Sequence, residues 1–158
     1  MRNYKEEYQN RTEFIKNLVK NAGAKGVVFG NSGGKDCALV GALCQGAGVK
    51  AVGVIMPCMS RRNYEEDMRD GIEVANHFGF ETRIVDISPA RQEIVKSLEN
   101  VTDLTPLALA NINPRVRILA VMPDIEQTTI ALAPISMDIP HTEWDIASIE
   151  FLMRKLVL

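Results

Sequence analysis

Gly26-Val-Val-Phe-Gly30-Asn-Ser-Gly-Gly-Lys-Asp-Cys37 decides the fold: a short apolar run enters a turn of small residues, and an Ala- and Leu-rich stretch follows. A run apolar at every position is the pattern of a strand buried inside a parallel sheet. The small residues Ser32, Gly33 and Gly34 then form a bend in which main-chain N–H groups converge on an anion. The first turn of the helix after them adds unpaired donors and the positive end of its dipole. The expected ligand is a nucleotide polyphosphate.

Spacing excludes the two commoner glycine-rich loops. A Walker A sequence would put Gly at position 29 and Ser or Thr at position 36, where Phe29 and Asp36 stand, and no G-x-G-x-x-G occurs. An aspartate in the first turn of a phosphate-binding helix repels its ligand unless a cation stands between them. Asp36 therefore reads as a Mg²⁺ ligand shared with phosphate oxygens, the alternative being a first-turn acid that complements the helix dipole.

The whole chain sets the bounds. At 158 residues, 46% apolar and 24% charged, residues 1–158 are expected to form one nucleotide-binding domain with a real core. A net charge of −2 leaves no footprint for nucleic acid, and Arg61-Arg62 is diluted at once by Glu65, Glu66 and Asp67. The first residues lack an apolar leader segment, and no stretch approaches the roughly 18 continuous apolar residues of a membrane span. A cytoplasmic protein without a membrane partner is the expectation. The three cysteines, Cys37, Cys44 and Cys58, form no C-x-x-C, so neither a disulfide framework nor a zinc site is indicated. Cys37 reads as a small packed residue beside the bend, or alternatively as a thiol activated by the helix start.

Periodicity organises the rest. Tyr4 to Asn21 places Tyr8, Phe14, Ile15, Leu18 and Val19 on one helical face. Asp36 to Gln45 is a helix apolar on nearly every side, stopped by Gly46-Ala47-Gly48. Lys50 to Met56 is a second strand, and Glu65 to Phe78 an amphipathic helix with Met68, Ile72, Val74, Ala75 and Phe78 as core candidates. Arg83 to Ile87 is a third strand, followed by a Ser88 cap, Pro89 at the first helical position and a helix to about Leu98. Three βα units in succession predict a parallel sheet with right-handed crossovers. Asn113-Pro114 reads as another helix start, with Arg115 and Arg117 in its first turn and Pro123 cutting it short. Gln127 to Ile135 reads as a fourth strand. Thr142 and Asp145 have capping-box spacing before an apolar stripe from Ile146 to Leu156. In a doubly wound sheet the bend, Met56-Pro57 and Ile87-Ser88 all fall at the carboxyl ends of strands, at one crevice.

With these residues in view, the chain resembles the N-type ATP pyrophosphatase superfamily, whose signature is Ser-Gly-Gly-x-Asp-Ser; Cys37 stands at the last serine. Within it the resemblance is to ammonia-dependent NAD synthetase. Ala51-Val-Gly-Val-Ile-Met-Pro57, Val85-Asp-Ile-Ser-Pro89 and Ala110-Asn-Ile-Asn-Pro-Arg-Val-Arg117 follow that family in order and spacing, up to Arg117. The resemblance implies an α/β fold, Rossmann-like and of the adenine nucleotide alpha-hydrolase type, with helices on both faces of a parallel sheet. It implies that deamido-NAD and ammonia become NAD through an acyl adenylate, at the expense of ATP with Mg²⁺, releasing AMP and pyrophosphate. By the same resemblance Asp36 and Ser32 are catalytic, and Gly30, Asn31, Ser32, Gly33, Gly34, Lys35, Asp36, Cys37 and Met56 bind ATP. Asp36 would hold the metal, while Asn111, Arg115 and Arg117 would serve the substrate, the alternative for the arginines being a solvated helix face. A homodimer with the dinucleotide at its interface is also implied. Two features depart from the family. Lys35 stands where an uncharged residue is usual, as in sulfur-transfer and tRNA-modifying relatives, and the second metal segment Gly-Thr-x-Asn-x-x-Glu is missing after Arg117. Glu126, Asp138, Glu143 and Asp145 offer no selected replacement. The competing expectations are another N-type ATP pyrophosphatase and an ATP-binding remnant without turnover.

Overall fold

The computed structural model describes residues 3–126 and 129–131. Strands β1 (Gly26–Gly30), β2 (Ala51–Ile55), β3 (Glu81–Ile84) and β4 (Thr129–Ala131) form one parallel sheet in the order β3-β2-β1-β4. The register pairs Val27 with Ala51, Val52 with Glu81 and Gly26 with Thr129. Parallel neighbours need crossovers, and α2 (Lys35–Ala47) and α3 (Met68–Phe78) supply the first two. The third connection runs through α4 (Ser88–Glu99) and α5 (Pro106–Glu126) and returns past β2 to the far side of β1. The winding therefore reverses between β1 and β4, which is where open α/β sheets place their ligands.

Alternation along β1 divides the core. Val27 and Phe29 face Ile15 and Val19 of α1 (Tyr4–Asn21) and Leu43, Cys44 and Ala47 of α2, in one buried cluster. Phe29 is 1% exposed and meets the Phe80 ring edge-on at 5.1 Å between centroids. Val28, fully buried, points the other way, toward the side on which α5 packs against β1. A second cluster joins Ile112 and Val116 of α5 to Cys58 and Ile87, just beyond the ends of β2 and β3. Helices thus cover both faces.

Several boundaries differ from expectation, each for a local reason. Helix α2 runs through Gly46 and stops at Gly48, which takes the left-handed conformation at φ 66°. A π-helical turn, Asn63–Asp67, precedes α3. On α3 it is Gly71 and Ala75 that are buried, while Ile72 is exposed; on α1 Phe14 is exposed and Thr12 takes its inner place. β3 ends at Ile84, although Val85 and Ile87 still donate to Ile55 and Pro57, which is why the strand pattern continues past it. Ser88 does not cap α4: its hydroxyl instead accepts from the Met59 N–H and meets the Tyr64 hydroxyl, both at 2.9 Å.

The largest correction concerns α5. The helix starts at Pro106, capped by Thr105, whose Oγ1 accepts from the Ala108 N–H, so Asn113-Pro114 lies well inside it and Pro123 does not end it. Pro114 removes the bond to the Ala110 carbonyl, a cost of about 3 kcal/mol in an exposed helix. Burial of Ile112 and Val116 on either side of it, at roughly 1.5–3 kcal/mol each, offsets that cost. The fourth strand keeps its place at Thr129–Ala131; the remainder of Gln127 to Ile135, the Thr142 and Asp145 cap and the final helix lie outside the described residues.

Burial pushes the Cys44 thiol up from its ordinary 9.0 to about 11. A raised folded value means that the native state holds the proton longer than the unfolded chain, so this contribution is complete below pH 9 and disappears as pH rises through 11. The urea midpoint is expected to fall between pH 9 and pH 11 in the unaltered chain, and to fall less in Cys44→Ala at equal ionic strength.

Candidate functional site

The chain leaves β1 at Gly30, and the bend that follows lies at the carboxyl edge of the sheet, beside the reversal of winding. Met56, one residue past β2, lies across Gly30, its Cε 3.0 Å from where a Cβ would stand. Asn31 is buried at 2% exposure. Its Oδ1 accepts from the Gly33 N–H at 3.1 Å, and its Nδ2 donates to the Gly71 carbonyl at 2.8 Å. Gly33 has φ 77° and sits against the start of α3: an added Cβ would come within 2.5 Å of the Asp70 Cβ and 2.7 Å of the Gly71 nitrogen. Only glycine fits, on both conformational and steric grounds.

Cys37 is buried and turned back on the bend. Its sulfur receives the Ser32 N–H and lies 3.4 Å from the Gly30 carbonyl and 3.5 Å from the Ser32 hydroxyl. The packed reading describes it: the thiol closes the bend from inside. Ser32, Gly34, Lys35 and Asp36 are exposed.

The donor inventory decides what the bend offers a ligand. Ser32 and Gly33 N–H groups already have partners in Cys37 and Asn31. Those of Gly34, Lys35 and Asp36 have none among the described residues, and they open α2 at the positive end of its dipole. Asp36 makes no hydrogen bond or ion pair among the described residues. No group of three or more potential metal ligands occurs among them either. One free carboxylate beside a row of amides suits Mg²⁺, which is commonly bound through one or two carboxylates plus phosphate oxygens.

The expected substrate residues lie in mid-helix on α5, not in a first turn. Asn111 donates to the Leu107 carbonyl and Arg115 to the Asn111 carbonyl, so both side chains are turned along the helix around Pro114. Arg117 is half-buried and makes no hydrogen bond or ion pair among the described residues. Residues missed by sequence reading join the same edge. Asp86 accepts from the Ser88 N–H at 2.8 Å, and bonds from the Ser88 backbone and from the Ser88 and Tyr64 hydroxyls hold its carboxyl below the usual range. Arg91 reaches Asn113 Oδ1 at 2.6 Å and the Met59 sulfur at 3.2 Å. The Asp-x-Ser spacing of an Asx turn was the available signal for Asp86 and Ser88; the long-range partners had none.

The NAD synthase family profile matches residues 7–132. The NH(3)-dependent NAD(+) synthetase of Carboxydothermus hydrogenoformans is 38% identical over 118 residues, covering 73% of this chain and 47% of that protein. Its counterpart in Pyrobaculum aerophilum is 38% identical over 108 residues, 67% of this chain and 40% of that one. The chain thus spans under half the length of these relatives. Among solved structures, that of NMN synthetase from Francisella tularensis superposes with a TM-score of 0.72 at 26% identity, over 80% of this chain and 52% of that one.

Gly33→Ala is expected to lower stability by on the order of 2–4 kcal/mol, combining left-handed strain with overlap against backbone. Urea denaturation reads this directly; a loss under 0.5 kcal/mol would mean that the bend does not lie against α3 as described.

Proposed function

The chain belongs to the NAD synthase family, and on that premise we propose that it binds ATP at the bend after β1 and takes part in ATP-driven, ammonia-dependent amidation of deamido-NAD to NAD. The observation that carries the reading is the row of N–H groups at Gly34, Lys35 and Asp36, next to the Asp36 carboxylate, all without a partner among the described residues.

A carboxylate is a poor electrophile at neutral pH, and bound ATP supplies the leaving group that lets ammonia replace an oxygen. The chain's own part is to hold charge. Amides at Gly34, Lys35 and Asp36 receive phosphate oxygens without reorganisation, as fixed donors do where negative charge builds up. The Lys35 ammonium and Ser32 hydroxyl stand exposed on the same bend to add contacts. Asp36 would hold Mg²⁺ against those oxygens, neutralising charge that otherwise opposes departure of pyrophosphate. Gly30 leaves room for Met56, whose flexible thioether would lie beside the adenine. On α5, Arg117 would serve an anionic group of the dinucleotide, with Asn111 and Arg115 shaping the helix around Pro114.

Assembly is part of the same proposal. Leu107, Ile118 and Leu119 are 72%, 53% and 63% exposed on α5, which supports a homodimer. No helix among the described residues is long and apolar enough to cross a membrane. A cytoplasmic location is proposed with the rest.

Isothermal titration with Mg-ATP, with and without deamido-NAD, tests the reading. Binding of both supports it, binding of ATP alone supports a nucleotide-binding remnant, and binding of neither refutes it. Asp36→Asn should weaken Mg-ATP at least tenfold, about 1.4 kcal/mol, with the circular dichroism spectrum unchanged. Equal affinity would remove Asp36 from the metal role.

A further inference from the structure

Asn31 was expected among the residues that touch ATP, yet its geometry fits a different task. It is 2% exposed, and both ends of its amide are engaged inside the protein. One end fixes the bend: Oδ1 receives the Gly33 N–H, forming an Asx turn over two residues. The other end reaches 40 residues along the chain, where Nδ2 donates to the Gly71 carbonyl in the first turn of α3. Gly53 makes space for it: a Cβ there would stand 3.2 Å from the Asn31 Cβ and Nδ2.

We propose that Asn31 is a positioning residue for nucleotide binding: without touching the ligand, it bolts the phosphate bend to α3 and holds the unpartnered amides of Gly34 and Lys35 in their receiving orientation. The inference rests on the nucleotide reading above and changes the part that Asn31 plays in it. A bend built from Ser32, Gly33 and Gly34 has wide backbone freedom, since Gly33 and Gly34 lack a Cβ. Something outside the bend must choose one conformation. Cys37 holds its near side through the Ser32 N–H, and Asn31 holds its far side through the Gly33 N–H. Of the two, only Asn31 also grips another helix. Gly71 is buried, so loss of Nδ2 would remove the bond that ties it to the bend and loosen the seat of Gly33 at the same time. Ordering the bend would then have to occur on binding, which lowers affinity without altering any ligand contact.

The experiment compares Mg-ATP binding by the unaltered chain and Asn31→Ala, at a temperature where circular dichroism shows both folded, together with amide hydrogen exchange at Gly33. Affinity should fall about tenfold in the variant. The Gly33 amide should be protected in the ligand-free unaltered chain and exchange at least tenfold faster in the variant. Should Asn31→Ala fail to fold, Asn31→Ser, too short to reach the Gly71 carbonyl, takes its place with the same expected loss. Unchanged affinity in a folded variant, or an unprotected Gly33 amide in the unaltered chain, overturns the inference while leaving the nucleotide reading in place. No Mg-ATP binding by the unaltered chain overturns both.

Discussion

The close approach of Gly33 to the first turn of α3 is the constraint on which this end of the molecule depends. Gly33 can lie there because it carries no side chain: a Cβ would come within 2.5 Å of the Asp70 Cβ and 2.7 Å of the Asp70 carbonyl carbon and the Gly71 nitrogen. The contact fixes where the chain turns after β1. That turn fixes where α2 begins, and the start of α2 fixes which amides face outward. A short buried strand, a bend of small residues and a helix dipole are common to many proteins. What sets this bend apart is that two of its N–H groups are tied inward, to Asn31 and Cys37, while the next three have no partner among the described residues; those three carry the proposed binding of anionic charge.

The residues proposed to serve the substrate are carried by α5. Helix α5 covers β1 and β4 and sends Ile112 and Val116 into the cluster with Cys58 and Ile87. Packing of those two residues brings the segment from Asn111 to Arg117 to the carboxyl ends of β2 and β3. The amides proposed to bind phosphate and the guanidinium groups are therefore mounted on separate helices that share one sheet edge. Such an arrangement suits a reaction that joins two large anionic reactants, since each can be held by its own element while the strands keep the two in register.

Much of the fold was legible in the chain itself. Fully apolar strands at Val27 to Phe29 and Ala51 to Ile55, each followed by a helical pattern, dictated a parallel sheet, and the family profile and structural neighbours agree with that architecture. The end of α3 at Phe78 was legible, and of the run Gly46-Ala47-Gly48 it is Gly48 that closes α2, in the left-handed conformation that favours glycine. Pro114 misled, because the rule that proline starts or breaks helices is local, whereas burial of its neighbours is decided by what packs against them. Asn31 shows where local pattern stops at the site: the resemblance put it among the ATP-binding residues, and its bond to the Gly71 carbonyl, 40 residues away, leaves no trace in the sequence around it. Ile72 and Phe14 were counted with the core-facing stripe because they fit its spacing, yet each is 37% exposed.

Backbone amide chemical shifts followed by NMR during titration with Mg-ATP test the central claim most directly. The largest changes are expected at Gly34, Lys35 and Asp36, with Arg117 shifting only when deamido-NAD is added. Changes confined to the opposite end of the sheet, around Gly41, Lys50 and Phe80, or no changes at saturating Mg-ATP, would contradict the assignment of the bend after β1 as the nucleotide site.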